Sequence, residues 1–110
     1  MSTRIEALLN MLEQGQDSAL LRFAIGNEYL LAGEPDAAMV HLQKATEHDN
    51  SYSAAWKLLG KACADAGKTS AAKAAFTAGI EAANAQGDRQ AAKEMTVFLK
   101  RLRASNETST

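Results

Sequence analysis

Compared with itself at an offset of 34 residues, the chain repeats without a gap. Gly26 meets Gly60, Gly33 meets Gly67, Ala37 and Ala38 meet Ala71 and Ala72, and Ile25 and Leu42 take the slots of Leu59 and Phe76. Small residues and large apolar residues return in matching places. An ungapped period of this length, with that pattern, describes a helix-turn-helix unit repeated in tandem, each copy burying its apolar face against the next.

The remaining residues agree with an all-α chain. Alanine and leucine are abundant, proline occurs once, and no segment alternates with the strand period. Gly15, Gly33, Gly67 and Gly87 punctuate the chain, with Asp17 and Ser18, Asn50 and Ser51, Thr69 and Ser70, and Asp88 as N-cap candidates downstream. This predicts six helices, near residues 3–14, 18–32, 35–48, 53–66, 69–85 and 89–103. Pro35 suits a first helical turn, where its missing N–H would have been unpaired anyway, and Asp36 beside it suits the positive end of the helix dipole. The expected domain spans residues 1–104, with 105–110 a frayed tail.

At 110 residues the chain is one domain that buries roughly two thirds of its unfolded surface and needs no staple. Its single cysteine, Cys63, excludes an internal disulfide framework. Glu6, Asn10 and Glu13 interrupt any signal-peptide core near the N-terminus, and no stretch approaches membrane-spanning length. The expected localisation is cytoplasmic.

A net charge of −1 gives no warrant for nucleic-acid binding. The signs are unevenly spread, however. Residues 1–50 carry three basic and eight acidic side chains, and residues 51–110 carry nine basic and five acidic ones. In a stacked array these halves are the two ends, so the C-terminal end is expected to be basic.

Each repeated slot has a physical reason. Gly26 and Gly60 stand where two helices approach too closely for a larger side chain, with Ala38 and Ala72 facing them. Trp56, Leu59 and Phe76 fill the layer between paired helices, as Ile25 and Leu42 do one unit earlier, and Tyr29 or Cys63 closes it. Gly33 and Gly67 allow the left-handed residue that a tight turn between helices requires.

The spacing Trp56-x2-Leu59-Gly60-x2-Cys63, followed by Ala72-x3-Phe76, and the junction from Asp49 to Gly60 resemble the tetratricopeptide repeat. The match is specific over 53–86 and looser over 19–52, where Arg22 replaces the aromatic residue that Trp56 provides. The resemblance implies an α-α superhelix with two full repeats, 19–52 and 53–86. Flanking helices then close the ends. Ile5, Leu8, Leu9, Met11 and Leu12 make the N-terminal helix, 3–14, half of a preceding unit. Ala91, Met95, Phe98 and Leu102 form a stripe on the last helix, 88–103, one residue out of phase with the period. That phase makes it a rotated cap, with the inserted residue expected in the turn from Ala85 to Asp88.

Catalytic chemistry finds little support. His41 and His48 are seven residues apart on one helix, about 10 Å along its axis, too far to share a metal unaided, and are read as solvent-facing. Cys63 occupies a core slot and is read as an inert thiol. Gly67-Lys68-Thr69 lacks the upstream glycine and strand of a phosphate-binding loop. No cofactor or metal is expected, and an enzyme is the remote alternative.

The resemblance implies that the first helices of the units line a concave face. Its outward residues are Leu20, Phe23, Asn27, Leu30 and Leu31 in the first unit, and Ala54, Lys57, Lys61 and Ala64 in the second. The rotated cap adds Arg89, Thr96, Leu99 and Lys100. The expected function is non-catalytic binding of a protein partner through Phe23, Asn27, Leu30, Lys57, Lys61, Arg89 and Lys100. The partner presents a peptide segment with an apolar anchor and a carboxylate. The lysine and asparagine set of chaperone-tail binders is incomplete here. Two alternatives stay open: Phe23 and Leu30 pack under an end helix, or the apolar residues form a homodimer or a seam in a larger assembly. A monomer or weak homodimer is expected, without nucleic acid or membrane.

Overall fold

The computed structural model describes the backbone of residues 3–108 and the side chains of residues 3–104. Among these residues the chain forms six helices: α1 (Thr3–Glu13), α2 (Ala19–Leu31), α3 (Pro35–His48), α4 (Ser53–Asp65), α5 (Thr69–Ala85) and α6 (Arg89–Thr108). The helices fall where the glycines and apolar stripes place them. The last one differs: α6 continues to Thr108, through residues expected to belong to a tail, and residues 109 and 110 lie outside the described residues.

Local chemistry sets the boundaries. Ser18 caps α2, its Oγ accepting the Leu21 N–H at 3.1 Å, and Asp88 caps α6 by accepting the Ala91 N–H at 3.1 Å. Thr69 and Ser70 do not cap α5, which follows Lys68 without a side-chain cap. Gly67 shows how the helices stop. With φ at +77° it turns the chain so that Lys68 N–H reaches back to Cys63 O at 2.8 Å and Gly67 N–H to Ala64 O at 3.0 Å. That paired closure satisfies two carbonyls at the helix end, and a side chain at that φ would be strained.

The helices pack in sequence as antiparallel neighbours: α2 against α3, α4 against α5, with α3 joining α4 and α5 joining α6, while α1 rests on α2. In addition α4 comes close to both α2 and α6, whereas the backbones of α3 and α5 stand farther apart and leave a hollow between them. The first helices of the units therefore make a closed inner layer and the second helices a spread outer one. A thickness of 18 Å fits these two layers, since a helix with side chains is about 10 Å across.

Ile25 and Leu42 are fully buried at one level, Phe76 at the next and Met95 at the third. The period is carried by a steric relationship. A Cβ on Gly26 would meet Leu42 Cγ at 2.4 Å, and one on Gly60 would meet Phe76 Cε1 at 2.6 Å. Trp56 departs from a simple core role. It is half-buried, borders a hollow on the outer layer between α3 and α5, and donates its indole N–H to Asn50 O at 2.8 Å.

The cap is displaced by more than the one residue expected. α5 has 17 residues where α3 has 14, the turn that follows is one residue shorter, and α6 therefore begins at Arg89, two residues beyond the place the period of 34 gives when counted from Ser53. Lys57 on α4 bonds Glu94 on α6, 37 positions along the chain. With that two-residue shift the slots of Trp56, Leu59, Gly60 and Cys63 fall on Ala92, Met95, Thr96 and Leu99, so α6 turns the equivalent side to the array. Ala92, Met95 and Leu99 are its buried positions, with Ala91, Phe98 and Leu102 at the margin.

Candidate inner-face binding site

The inner layer brings together α2, α4 and α6, and the side chains they present divide into an apolar part and a charged part. On α2, Leu21, Ile25, Gly26 and Tyr29 are buried, which leaves Leu20, Asn27 and Leu31 on the opposite side at spacings of seven and four. Leu20 is 69% exposed and Leu31 75% exposed, so this face offers apolar surface that nothing in the fold covers. Phe23 and Leu30 lean toward the core and are half-buried. The Phe23 ring rests against Tyr52, in the turn before α4, with centroids 5.0 Å apart. Burial there raises the Tyr52 pKa, with the Asp49 carboxylate adding to the shift.

On α4 the two lysines are engaged differently. Lys57 Nζ bonds Glu94 Oε1 at 2.6 Å, and Gln90 Nε2 donates to the other carboxylate oxygen at 3.2 Å. Lys57 beside it holds the Glu94 carboxyl below its ordinary range. Lys61 lies over the Phe98 ring at 5.3 Å, and Arg101 over the same ring at 5.8 Å. Beneath them Phe98 stacks on buried Phe76, 5.4 Å between centroids and nearly parallel. Asp65 borders the same shallow hollow, about 390 Å³ in volume.

Arg89 and Lys100 do not join this face. With Lys93, Thr96 and Val97 they border a separate hollow between α5 and α6, and Leu99, expected on the groove, is 7% exposed in the core. α6 starts two residues beyond the period, one more than expected, and it is Glu94 and Phe98 that it sets against Lys57 and Lys61, with Arg101 over the same ring. The added length of α5 before Gly87 was the signal in the sequence that could have revealed this.

The histidines are not free surface groups. His41 is half-buried, its ring stacked on Tyr29 at 5.6 Å, and its Nδ1 accepts from Arg22 Nη1 at 3.1 Å. Arg22 grips Asp17 through two bonds of 2.8 and 2.9 Å, and His48 Nε2 meets the same carboxylate at 3.0 Å. Arg22 holds Asp17 far below the usual carboxylate range, while burial and the neighbouring guanidinium depress the His41 pKa. Thus Arg22 fills the slot of Trp56 by forming a polar clasp between α2 and α3. Burial raises the Cys63 pKa, which keeps its thiol protonated near neutral pH. Among the described residues no three histidine, cysteine or carboxylate side chains are grouped to hold a metal ion, and no helix is long and apolar enough to cross a membrane.

A tetratricopeptide repeat family model matches residues 29–95. The chain is 52% identical over 98 residues to a TPR repeat-containing protein, PA0015, of Pseudomonas aeruginosa, covering 89% of this chain and 93% of that protein. The fold resembles the solution structure of protein BPP2914 from Bordetella parapertussis, at 42% identity and a TM-score of 0.81, covering 96% of this chain and 92% of the other. It also resembles the crystal structure of MamA, at 22% identity and a TM-score of 0.68 over 96% of this chain and 68% of that one, a likeness of fold alone. With the repeated glycine contacts and the paired helices already in view, these matches establish that the chain belongs to the tetratricopeptide repeat family.

Proposed function

We propose that the protein is a non-catalytic interaction module that holds a segment of a partner protein against the inner face of α2, α4 and α6. Repeats of this family generally mediate contacts between proteins. The observation that carries the reading is the pairing of surfaces on one face: exposed Leu20 and Leu31 on α2, and the Lys61 and Arg101 cations over Phe98. An apolar anchor would bury surface against the leucines, and a carboxylate would meet the cations. Asn27 lies on the same stripe. Phe23 and Leu30 support that stripe from below.

Leu20→Glu with Leu31→Glu tests the proposal, because both side chains are exposed and their replacement leaves the core intact. Affinity capture from cells of the source, with proteins identified by mass spectrometry, is expected to lose specific partners with the double variant. An unchanged set of captured proteins would remove the inner face as the seat. The same exposed leucines suit the second reading, a homodimer seam. Sedimentation across a concentration series separates the two, since a seam requires self-association that the double variant abolishes.

A further inference from the structure

The contact between Lys57 and Glu94 runs across the inner face from α4 to α6, inside the seat just described. The Glu94 carboxylate is held at both oxygens, by Lys57 at 2.6 Å and by Gln90 at 3.2 Å. Lys61, one turn along α4, stands within electrostatic range of the same carboxylate. The protein thus places its own anion among the cations that a partner's carboxylate would seek. We infer that Glu94 is a built-in competitor for the partner's anionic group: in the free protein it occupies Lys57 and offsets Lys61, and an acidic segment binds by displacing it. The inference rests on the inner face being the partner's seat.

Physical magnitudes favour such an exchange. The Lys57 and Glu94 side chains are 27% and 41% exposed, so water already solvates both and the pair is weak enough to open. An incoming carboxylate exchanges one ion pair for another and, in addition, meets Lys61 and Arg101. An uncharged segment gains nothing from displacing Glu94. The internal carboxylate therefore raises selectivity, because only a ligand that brings its own negative charge recovers the lost contact.

The test uses the full chain and Glu94→Gln, which preserves shape and a hydrogen-bond acceptor for Lys57. The probe is a fluorescein-labelled peptide of two leucines followed by two glutamates with a free carboxylate, alongside an amidated peptide with glutamines in place of the glutamates. Anisotropy titrations at low salt are expected to show the acidic peptide binding E94Q about fivefold more tightly than the unaltered protein, with the neutral peptide indifferent to the change. Equal or weaker binding of the acidic peptide by E94Q would overturn the role of Glu94 while leaving the seat in place. If neither protein binds the acidic peptide although circular dichroism shows both folded, the seat itself is wrong and the inference falls with it.

Discussion

The Arg22 guanidinium lies 3.1 Å from Nδ1 of His41, so this ring nitrogen accepts a hydrogen bond and the imidazole is neutral. Protonation of His41 would set two cations against each other in a half-buried site. Its folded-state pKa is accordingly depressed below the ordinary 6.5, chiefly by burial and then by Arg22. The folded protein therefore binds fewer protons than the unfolded chain as pH falls below about 6.5, and stability declines with acidification. A second decline follows below 3.8, where Asp17, held ionised by Arg22, begins to take up a proton in the unfolded chain. Urea melts across pH are expected to show both steps in the unaltered protein and only the lower one in His41→Phe.

Gly60 faces the Phe76 ring, and an added Cβ would lie 2.6 Å from Cε1 and 2.7 Å from Cζ. The ring has no room to retreat, being 1% exposed and stacked on Phe98. Gly60→Ala is expected to cost about 1–3 kcal/mol through overpacking, despite alanine's better helix propensity. Chemical denaturation monitored by circular dichroism checks this, and a stabilised variant would show that the helices separate easily.

Met95 is fully buried, and its sulfur occupies the space a Cβ on Gly79 would need. It anchors α6 on α5. Met95→Ala is expected to destabilise the protein by about 2–5 kcal/mol and to raise hydrogen exchange in α6 before the remaining helices. Uniform loss of protection would mean that the cap and the repeats unfold as one unit.

Cys63 is 4% exposed and its thiol pKa is raised by burial. Alkylation by iodoacetamide at pH 8 is expected to be slow in the folded protein and rapid in urea. Cys63→Ser should lower stability by about 1–3 kcal/mol, because a hydroxyl is placed where water does not reach. It should leave partner capture unchanged.

The sequence by itself determined the architecture through α5, because close helix contact admits only a few residue types: glycine opposite Leu42 and Phe76, glycine at the positive-φ turn of Gly67. Those demands are local and recur with the period, so they can be read in one dimension. Much of the inner face on α2 and α4 was legible for the same reason, since a helix places outward residues at known intervals from buried ones. The polar clasp of Arg22 with Asp17 and His41 was not, because it joins residues 19 positions apart across two helices. Tertiary structure alone decided the far side of the site. α6 starts two residues beyond the period, Arg89 and Lys100 border another hollow, and Glu94 and Phe98 meet Lys57 and Lys61 with Arg101 over the same ring. Which face a helix shows depends on how it docks, and burial of Ala92, Met95 and Leu99 against the array settles that docking.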